Sequence, residues 1–210
     1  MKSLVQDIQA RFKRFMNSPY TSSLLVLCEP EDSALLLKSL EAVEQDPAVP
    51  DIFLTFGHAF ENLDRYVRQM LDSIRQQLAQ VNEALTQRGY SALAPFPSEL
   101  ADEALLPATQ LYEAMRYVRS IVPRDRRIAY ILYPLELDQP AQYLQLIDYV
   151  REQLEDEALA GTKLIARDSV ALPILLPMLD GQPKVDIYRP ELSLASMEKK
   201  LNTSDSNISE

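Results

Sequence analysis

Acidic side chains lie at two places in the sequence where chemistry could occur. Glu29, Glu31 and Asp32 directly follow one apolar run, and Asp168 follows another. Paired carboxylates act as general acid and base, or hold a divalent cation, when their environments push their pKa values apart. An enzyme that uses these four side chains is therefore one hypothesis for the function of the chain.

The sequence has one cysteine, Cys28, and one histidine, His58. Cys28 precedes a predicted helix, and helix N-termini lower thiol pKa values, but the neighbouring carboxylates would raise this one. His58 has no nucleophile and acid near it in the sequence. The patterns favour a buried structural cysteine and a histidine in a loop or cap. A single cysteine also excludes an internal disulfide framework and indicates a reduced, cytoplasmic location.

The composition excludes several functional classes. The chain has 21 basic and 31 acidic residues, a formal charge of −10, which opposes binding to nucleic acid. Its four glycines never lie close together, so no glycine-rich phosphate loop is present. No apolar run approaches the roughly 18 residues that a membrane span needs. We therefore expect a globular protein with no cofactor, no bound metal and no nucleic-acid partner.

The N-terminal segment, residues 1–19, predicts an amphipathic helix over residues 3–16. Its apolar residues recur at helical spacing, and most of the remaining positions are basic or polar. Such a helix either lies on a membrane surface or docks on its own domain. We expect docking, with a peripheral membrane anchor as the alternative.

The rest of the chain alternates predicted strands with predicted helices. The strands are expected at residues 24–28, 52–56, 127–133, 162–166 and 185–188, and the helices from Ser33 onward and at 60–85, 98–121, 139–156 and 192–201. This order predicts a single α/β domain over residues 20–201, a three-layer sandwich in which helices cover both faces of a mostly parallel five-stranded sheet. Residues 202–210 are expected to be a disordered tail. In such sheets ligands bind outside the carboxyl ends of the strands.

The long predicted helix carries an apolar stripe that suggests a second use. A helix of about 28 residues spans about 42 Å, more than a five-stranded sheet needs to cover it. The stripe either lies on the sheet or projects in part as a surface that binds a partner or a second copy. Its residues are Phe60, Leu63, Val67, Leu71, Ile74 and Leu78.

Residues 23–40, SLLVLCEPEDSALLLKSL, resemble the first strand, loop and helix of AAA-type or STAND-type P-loop NTPases. In that family the strand leads into a glycine-rich loop that ends in Gly-Lys-Ser/Thr. Cys28 stands in the position of the first loop glycine, and Ser33 matches the serine that opens the helix. The loop between them is two residues shorter and lacks the lysine and the glycines, which a phosphate cradle needs. We expect Glu31 and Asp32 to cap the helix instead, in the place of the nucleotide.

Two other segments resemble later parts of the same family. Residues 127–138 are similar to the strand that ends in the Walker B carboxylates, with Tyr133 in the position of the residue that holds Mg²⁺. A phenol is no ligand for that cation at neutral pH. Arg167 is expected just after the fourth strand, where the family often has an arginine, and we expect Arg167 and Asp168 to form structural ion pairs with Glu29 or Glu31.

The resemblance implies a P-loop NTPase-like domain with a degenerate nucleotide site. The rim of that site would consist of Cys28, Glu29, Glu31, Asp32, Ser33, Tyr133 and Arg167. A protein of this kind would act as a pseudo-ATPase: a scaffold, adaptor or regulatory subunit of a cytoplasmic assembly, with protein partners such as an active ATPase or a multi-subunit assembly. A flavodoxin-like or other doubly wound sheet is the alternative fold.

Overall fold

A computed structural model describes residues 4–46, 49, 51–101 and 105–190 of the chain. The predicted last helix at 192–201 and the predicted tail at 202–210 lie outside the described residues. The helices are α1 (Leu4–Asn17), α2 (Ser33–Glu44), α3 (Leu63–Gln87), α4 (Pro107–Ile121), α5 (Pro140–Gln153) and α6 (Leu176–Leu179). The strands are β1 (Ser23–Leu27), β2 (Ile52–Phe56), β3 (Ile128–Leu132), β4 (Thr162–Asp168) and β5 (Val185–Tyr188).

The strands form one five-stranded sheet in the order β2-β3-β4-β1-β5. β1 pairs in parallel with β5, and β3 pairs in parallel with both β2 and β4. Every residue of β1, β3 and β4 is buried, which explains the continuous apolar runs at residues 24–27, 128–132 and 164–166. The fold is therefore α/β with a parallel sheet, as predicted from the sequence, and it is consistent with a three-layer sandwich.

The contacts of the chain group into two compact units. The first unit comprises residues 1–49 and 167–210, and the second comprises residues 50–166. The N-terminal helix thus belongs to the first unit, together with β1, α2, the end of β4, α6 and β5.

Helix α1 docks on the first unit through its apolar face. Ile8, Phe12 and Met16 are completely buried, and each such side chain stabilises the fold by about 1.5–3 kcal/mol. The ring of Phe12 meets the edge of the Tyr188 ring at a centroid distance of 6.3 Å. The Arg11 guanidinium lies over the same tyrosine ring, at 5.6 Å from its centroid. This arrangement confirms docking, because the face that would enter a membrane is covered by the protein itself.

The second unit closes the ends of β2 and β3 with aromatic side chains. The Tyr66 hydroxyl donates to the Phe56 carbonyl oxygen at 2.9 Å, and the Tyr143 hydroxyl donates to the Leu132 carbonyl oxygen at 3.2 Å. The ring of Phe60 lies between the two tyrosines, with centroids 5.0 and 5.2 Å away. Two consecutive strands of the unit thus end beneath a packed aromatic cluster.

Helix α3 begins three residues later than its apolar spacing predicts. The Asn62 side chain accepts the Arg65 N–H at 2.9 Å, which makes Asn62 the N-cap. Phe60 lies before this cap and pairs as a strand residue, because its N–H donates to Glu136 and its carbonyl accepts from Asp138. The prediction that Phe60 belongs to the helix is therefore wrong.

The C-terminus of α3 follows the sequence prediction. Gly89 has a φ of +78°, a left-handed conformation that glycine adopts at little cost. Its N–H donates to the Thr86 carbonyl, and the Tyr90 N–H donates to the Leu85 carbonyl. These two bonds form a Schellman motif, so Gly89 ends the helix as predicted.

Candidate functional site

The candidate site lies in the first unit, at the carboxyl ends of β1 and β4. The Cys28 N–H donates to the Asp168 carbonyl oxygen at 3.0 Å, which joins the two strand ends just beyond Leu27. Ligands of parallel α/β sheets bind outside such ends. Two carboxylates occupy this position, those of Glu29 and Asp168.

Glu29 is held by the loop that follows β4. Its backbone is extended, with φ −80° and ψ 160°, and one carboxylate oxygen accepts the N–H groups of Val170 at 2.8 Å and Ala171 at 2.7 Å. The Ser169 hydroxyl donates to the same carboxylate at 3.1 Å. These hydrogen bonds, led by that from Ala171, lower the pKa of Glu29 below its ordinary value of 4.5, although partial burial opposes them; the charge of Arg167 lowers it further.

Asp168 is the last residue of β4, and its side chain is almost completely buried. Its carboxylate accepts the N–H groups of Ser169 at 3.0 Å, Ile174 at 2.9 Å, and Leu175 and Leu176 at 2.8 Å each. The last three groups precede or open the short helix α6, where backbone N–H groups have no helical acceptor. Asp168 therefore fixes the loop between β4 and α6 from within.

The backbone N–H groups of this loop are arranged as they are in anion-binding sites, but the anions that they bind are the side-chain carboxylates of Glu29 and Asp168. Consecutive N–H groups that converge on one oxygen form a nest, the backbone feature that holds phosphate in many proteins. Here both sets of donors are already satisfied by side-chain carboxylates. An incoming phosphate would have to displace a bound carboxylate and would meet its negative charge. The same hydrogen bonds occupy the oxygen atoms that a general base or a metal ligand would need.

Five of the other predicted rim residues also lie in the first unit: Cys28, Glu31, Asp32, Ser33 and Arg167. Cys28 is buried, as expected for a structural cysteine. Ser33 begins α2 as predicted, is buried, and its hydroxyl donates to the Glu29 carbonyl oxygen at 3.3 Å. Arg167 lies inside β4 and not after it, because the strand continues through Asp168.

The prediction that Glu31 and Asp32 cap α2 is wrong. Pro30, Glu31 and Asp32 form a turn of 3-10 helix that leads directly into α2. Asp32 therefore has helical φ and ψ angles of −86° and −9°, and its side chain makes no capping hydrogen bond. A capping side chain needs an extended backbone to reach the first N–H groups. Asp168 does not form the predicted ion pair, because its hydrogen-bond partners are backbone N–H groups, whereas the charge of Arg167 does act on Glu29 and lowers its pKa.

Tyr133 and His58 belong to the second unit. Tyr133 follows β3, is buried, and its N–H donates to the Phe56 carbonyl oxygen at 3.0 Å. His58 is an exposed loop residue, as expected, and its Nε2 lies 3.2 Å from the Ser73 hydroxyl. Neither residue forms part of the carboxylate arrangement in the first unit.

The apolar stripe of α3 is not a free surface. Val67, Leu71, Ile74 and Leu78 are buried inside the second unit, where α3 packs against β2, α4 and α5. Phe60 is buried as well, and Leu63 is half-buried. The stripe thus packs within its own unit, which is the first of the two alternatives, and partner binding through it stays a prediction.

The second unit also has an open groove of about 1240 Å³, bounded by α4 and the segment 156–161. Arg116 pairs with Glu113 at 3.2 Å, and Asp156 accepts the Tyr112 hydroxyl. Arg119 donates to three backbone carbonyls that follow α4, at 2.6–2.8 Å. These charged groups are engaged with their own neighbours, so they select no class of charged ligand.

The loop donors were missed by the sequence reasoning. Residues 169–176, SVALPILL, are mostly apolar but have neither the period of a strand nor that of a helix, and Pro173 interrupts them. The available signal was that proline next to a strand that ends in Asp168. A buried aspartate followed by an irregular apolar segment indicates that the carboxylate satisfies backbone donors.

Comparisons with known proteins give no family for the chain. No protein-family model matches it, and no curated protein matches it. Among the described residues, no group of three or more His, Cys, Asp and Glu side chains is arranged to hold a metal ion. None of the helices in the described ranges is both long and apolar enough to cross a bilayer.

Proposed function

We propose that the chain is a non-catalytic, P-loop NTPase-like protein that acts as a scaffold, adaptor or regulatory subunit of a cytoplasmic protein assembly. The observation that carries this proposal is the pair of carboxylates, Glu29 and Asp168, at the carboxyl ends of β1 and β4. They accept the backbone N–H groups that an anionic ligand of this fold class would need.

The sequence of the first loop supports the same proposal. Cys28 to Ser33 contains two glutamates, an aspartate and a proline, but no lysine and no glycine. A triphosphate needs positive charge and converging N–H groups at this position. The loop offers negative charge, and nearby donors are occupied by Glu29. A chain that keeps the parallel sheet but lacks the lysine and the glycines of the phosphate loop favours a role in binding other proteins.

Equilibrium binding of labelled ATP with Mg²⁺ to the full chain tests the proposal. We expect a Kd weaker than about 1 mM, which corresponds to less than about 4 kcal/mol of binding free energy, and no phosphate release. An intact P-loop ATPase measured in parallel shows that the assay detects binding. Micromolar affinity or steady turnover would overturn the proposal.

A variant sharpens this test by removing the internal anion. Glu29→Ala frees the N–H groups of Val170 and Ala171, so we expect phosphate to raise its Tm by about 1–3 °C at concentrations near its Kd. The wild-type chain and Glu152→Ala, which removes an exposed carboxylate from α5, should show no such rise. An equal rise in all three proteins would mean that Glu29 does not block an anion site.

The two alternatives have less support. An enzyme that uses the rim carboxylates needs an accessible basic oxygen, whereas Glu29 and Asp168, two of the four predicted carboxylates, accept several donors each. A peripheral membrane protein needs the apolar face of α1, which is buried in the first unit. The enzyme hypothesis can be tested by measuring the melting temperature during titration with divalent cations, and the membrane hypothesis can be tested by liposome flotation.

A further inference from the structure

Apolar side chains are exposed beside the carboxylate arrangement of the first unit. Leu172 is 79% exposed and Val170 is 40% exposed, with Ala171 and Pro173 also exposed in the same loop. Single exposed apolar residues are common on protein surfaces, but four consecutive ones form a local patch. Pro30 adds a fifth exposed residue from the turn after β1.

This patch is held in one conformation. Glu29 binds the N–H groups of Val170 and Ala171, the Ser169 hydroxyl accepts the Leu172 N–H at 3.1 Å, and Asp168 binds the next part of the loop. The acceptors of these hydrogen bonds are side chains of Glu29, which follows β1, and of Asp168 and Ser169, which precede the patch in the sequence. A surface that is already ordered loses little conformational entropy when a partner binds, which raises its affinity for a given contact area.

Negative charge without a counter-ion among the described residues is found close to the patch along the chain. The side chains of Glu31, which is exposed, and Asp32, which is half-buried, make no hydrogen bond or ion pair to another described residue. Consecutive Cα atoms are about 3.8 Å apart, so Glu31 lies within about 8 Å of Glu29, whose side chain contacts Val170. The apolar patch and these charges follow strand ends that the Cys28–Asp168 hydrogen bond joins, so they lie at the same edge of the sheet and we consider them as one surface. We call it the strand-end surface, defined as residues 30–32 and 170–173.

We propose that the strand-end surface docks a basic and apolar segment of a partner protein. Apolar side chains of that segment cover Val170 and Leu172, and its Lys or Arg side chains face Glu31 and Asp32. Charge complementarity selects this occupant, because a segment with acidic side chains would be repelled and a purely apolar one would leave the carboxylates without a counter-ion. This inference rests on the proposed adaptor function and names the surface through which the adaptor acts.

Selection from a random twelve-residue peptide library displayed on phage, against the intact chain, tests the docking surface. We expect the enriched peptides to combine Lys or Arg with Leu, Ile, Phe or Trp. Fluorescence anisotropy of the synthesised peptides should then show binding at least tenfold weaker to Leu172→Ser and to Glu31→Lys than to the wild-type chain.

Matched controls come from the second unit. Leu106→Ser removes a side chain that is 72% exposed, and Glu152→Lys reverses an exposed charge on α5. Both should bind the peptides as the wild-type chain does. All four substitutions are at exposed positions, so circular dichroism should show the same fold in each.

Three results would overturn the inference. One is a selection with no enrichment, or with peptides that lack basic residues. The second is equal binding to Leu172→Ser and Leu106→Ser. The third is another occupant of the surface: self-association in sedimentation velocity that Leu172→Ser abolishes would show a second copy, and a tenfold gain of peptide binding in Lys199→Glu/Lys200→Glu would show the chain's own C-terminal residues.

The nucleotide assay separates this inference from the proposed function. If no peptide is selected and ATP does not bind, the docking surface is lost but the non-catalytic role stands. If ATP binds with micromolar affinity, the proposed function is lost whatever the peptides show.

Discussion

Asp168 in the first unit and Asp51 in the second unit are both buried aspartates, but their partners differ in charge. Asp168 accepts backbone N–H groups, which add no net charge to the region. Asp51 accepts the Nε and the N–H of Arg127, at 3.1 and 3.2 Å, and its charge also acts on the buried Lys163. The described hydrogen bonds of Asp168 thus come from uncharged backbone groups, whereas Asp51 lies beside two cations.

The comparison shows two ways in which a folded chain compensates a buried carboxylate, with different consequences for binding. Hydrogen bonds from the backbone stabilise the ionised form and order the segment that supplies them. Ion pairs neutralise charge but leave each partner dependent on the other. The first way suits a surface that must repel phosphate and stay rigid, and it is found at the candidate site.

The largest effect is expected from Asp168→Ala. The substitution removes the acceptor of four N–H groups at a buried position, so we expect the free energy of unfolding to fall by about 3 kcal/mol. Urea denaturation of the full chain measures the change. Asp180→Ala, at an exposed position just after α6, is the control and should change it by less than about 0.5 kcal/mol. A loss below 1 kcal/mol for Asp168→Ala, on the order of a surface substitution, would show that the backbone donors find water instead.

A smaller effect of opposite sign is expected from Lys163→Met in the second unit. Burial, together with the charge of Arg127, lowers the pKa of Lys163 from 10.5 to about 8, so its charged form opposes folding at neutral pH. We expect the free energy of unfolding of the variant to be about 1 kcal/mol higher at pH 7 than that of the wild-type chain. Solvent screening makes this gain smaller than the pKa shift alone would give.

The pH dependence of the same variant gives a second check. In the wild-type chain the unfolded state binds the Lys163 proton more tightly, so stability rises as the pH increases from about 8 to 10.5. The advantage of Lys163→Met should therefore shrink over that range. An advantage that does not change over that range would mean that the pKa of Lys163 is not lowered in the folded unit.

The smallest effect is expected from Glu29→Gln. The amide keeps the shape but loses the charge that strengthens three hydrogen bonds, so we expect a loss of about 1 kcal/mol at pH 7. Because the pKa of Glu29 is lowered, its contribution is present above pH 4.5 and is lost as the pH falls through the folded-state value. Urea denaturation at pH 7 and at about pH 3 should show a smaller difference between the two proteins at the lower pH. The same difference at both pH values would exclude the charge as its cause.

The sheet could be predicted from the sequence because its strands are short apolar runs separated by helical patterns. The ends of the helices were harder to predict. Periodicity placed Phe60 in α3, since it lies three residues before Leu63, but the N-cap Asn62 excludes it. The caps predicted for α2 failed because Pro30 starts a 3-10 turn, which changes the backbone angles that a capping aspartate requires.

The sequence predicted where the candidate site lies, at the ends of the strands, but not which groups its carboxylates bind. The acidic residues after β1 correctly indicated the end of a strand. Their partners could not be predicted, because Glu29 is bound by residues about 140 positions away in the sequence, in a loop with no periodic pattern. Local sequence rules predict that a carboxylate caps the nearest helix, whereas the Glu29 carboxylate binds the loop that follows β4.

The aromatic cluster of the second unit gives the chain its own spectroscopic reporter. The sequence has no tryptophan, so near-ultraviolet absorption and emission come mainly from its ten tyrosines. Burial raises the pKa of Tyr66 and Tyr130 far above that of a phenol in water. Their rings can form tyrosinate only after the unit opens. The absorbance change after a jump to alkaline pH therefore follows the opening rate of that half of the molecule without any attached dye.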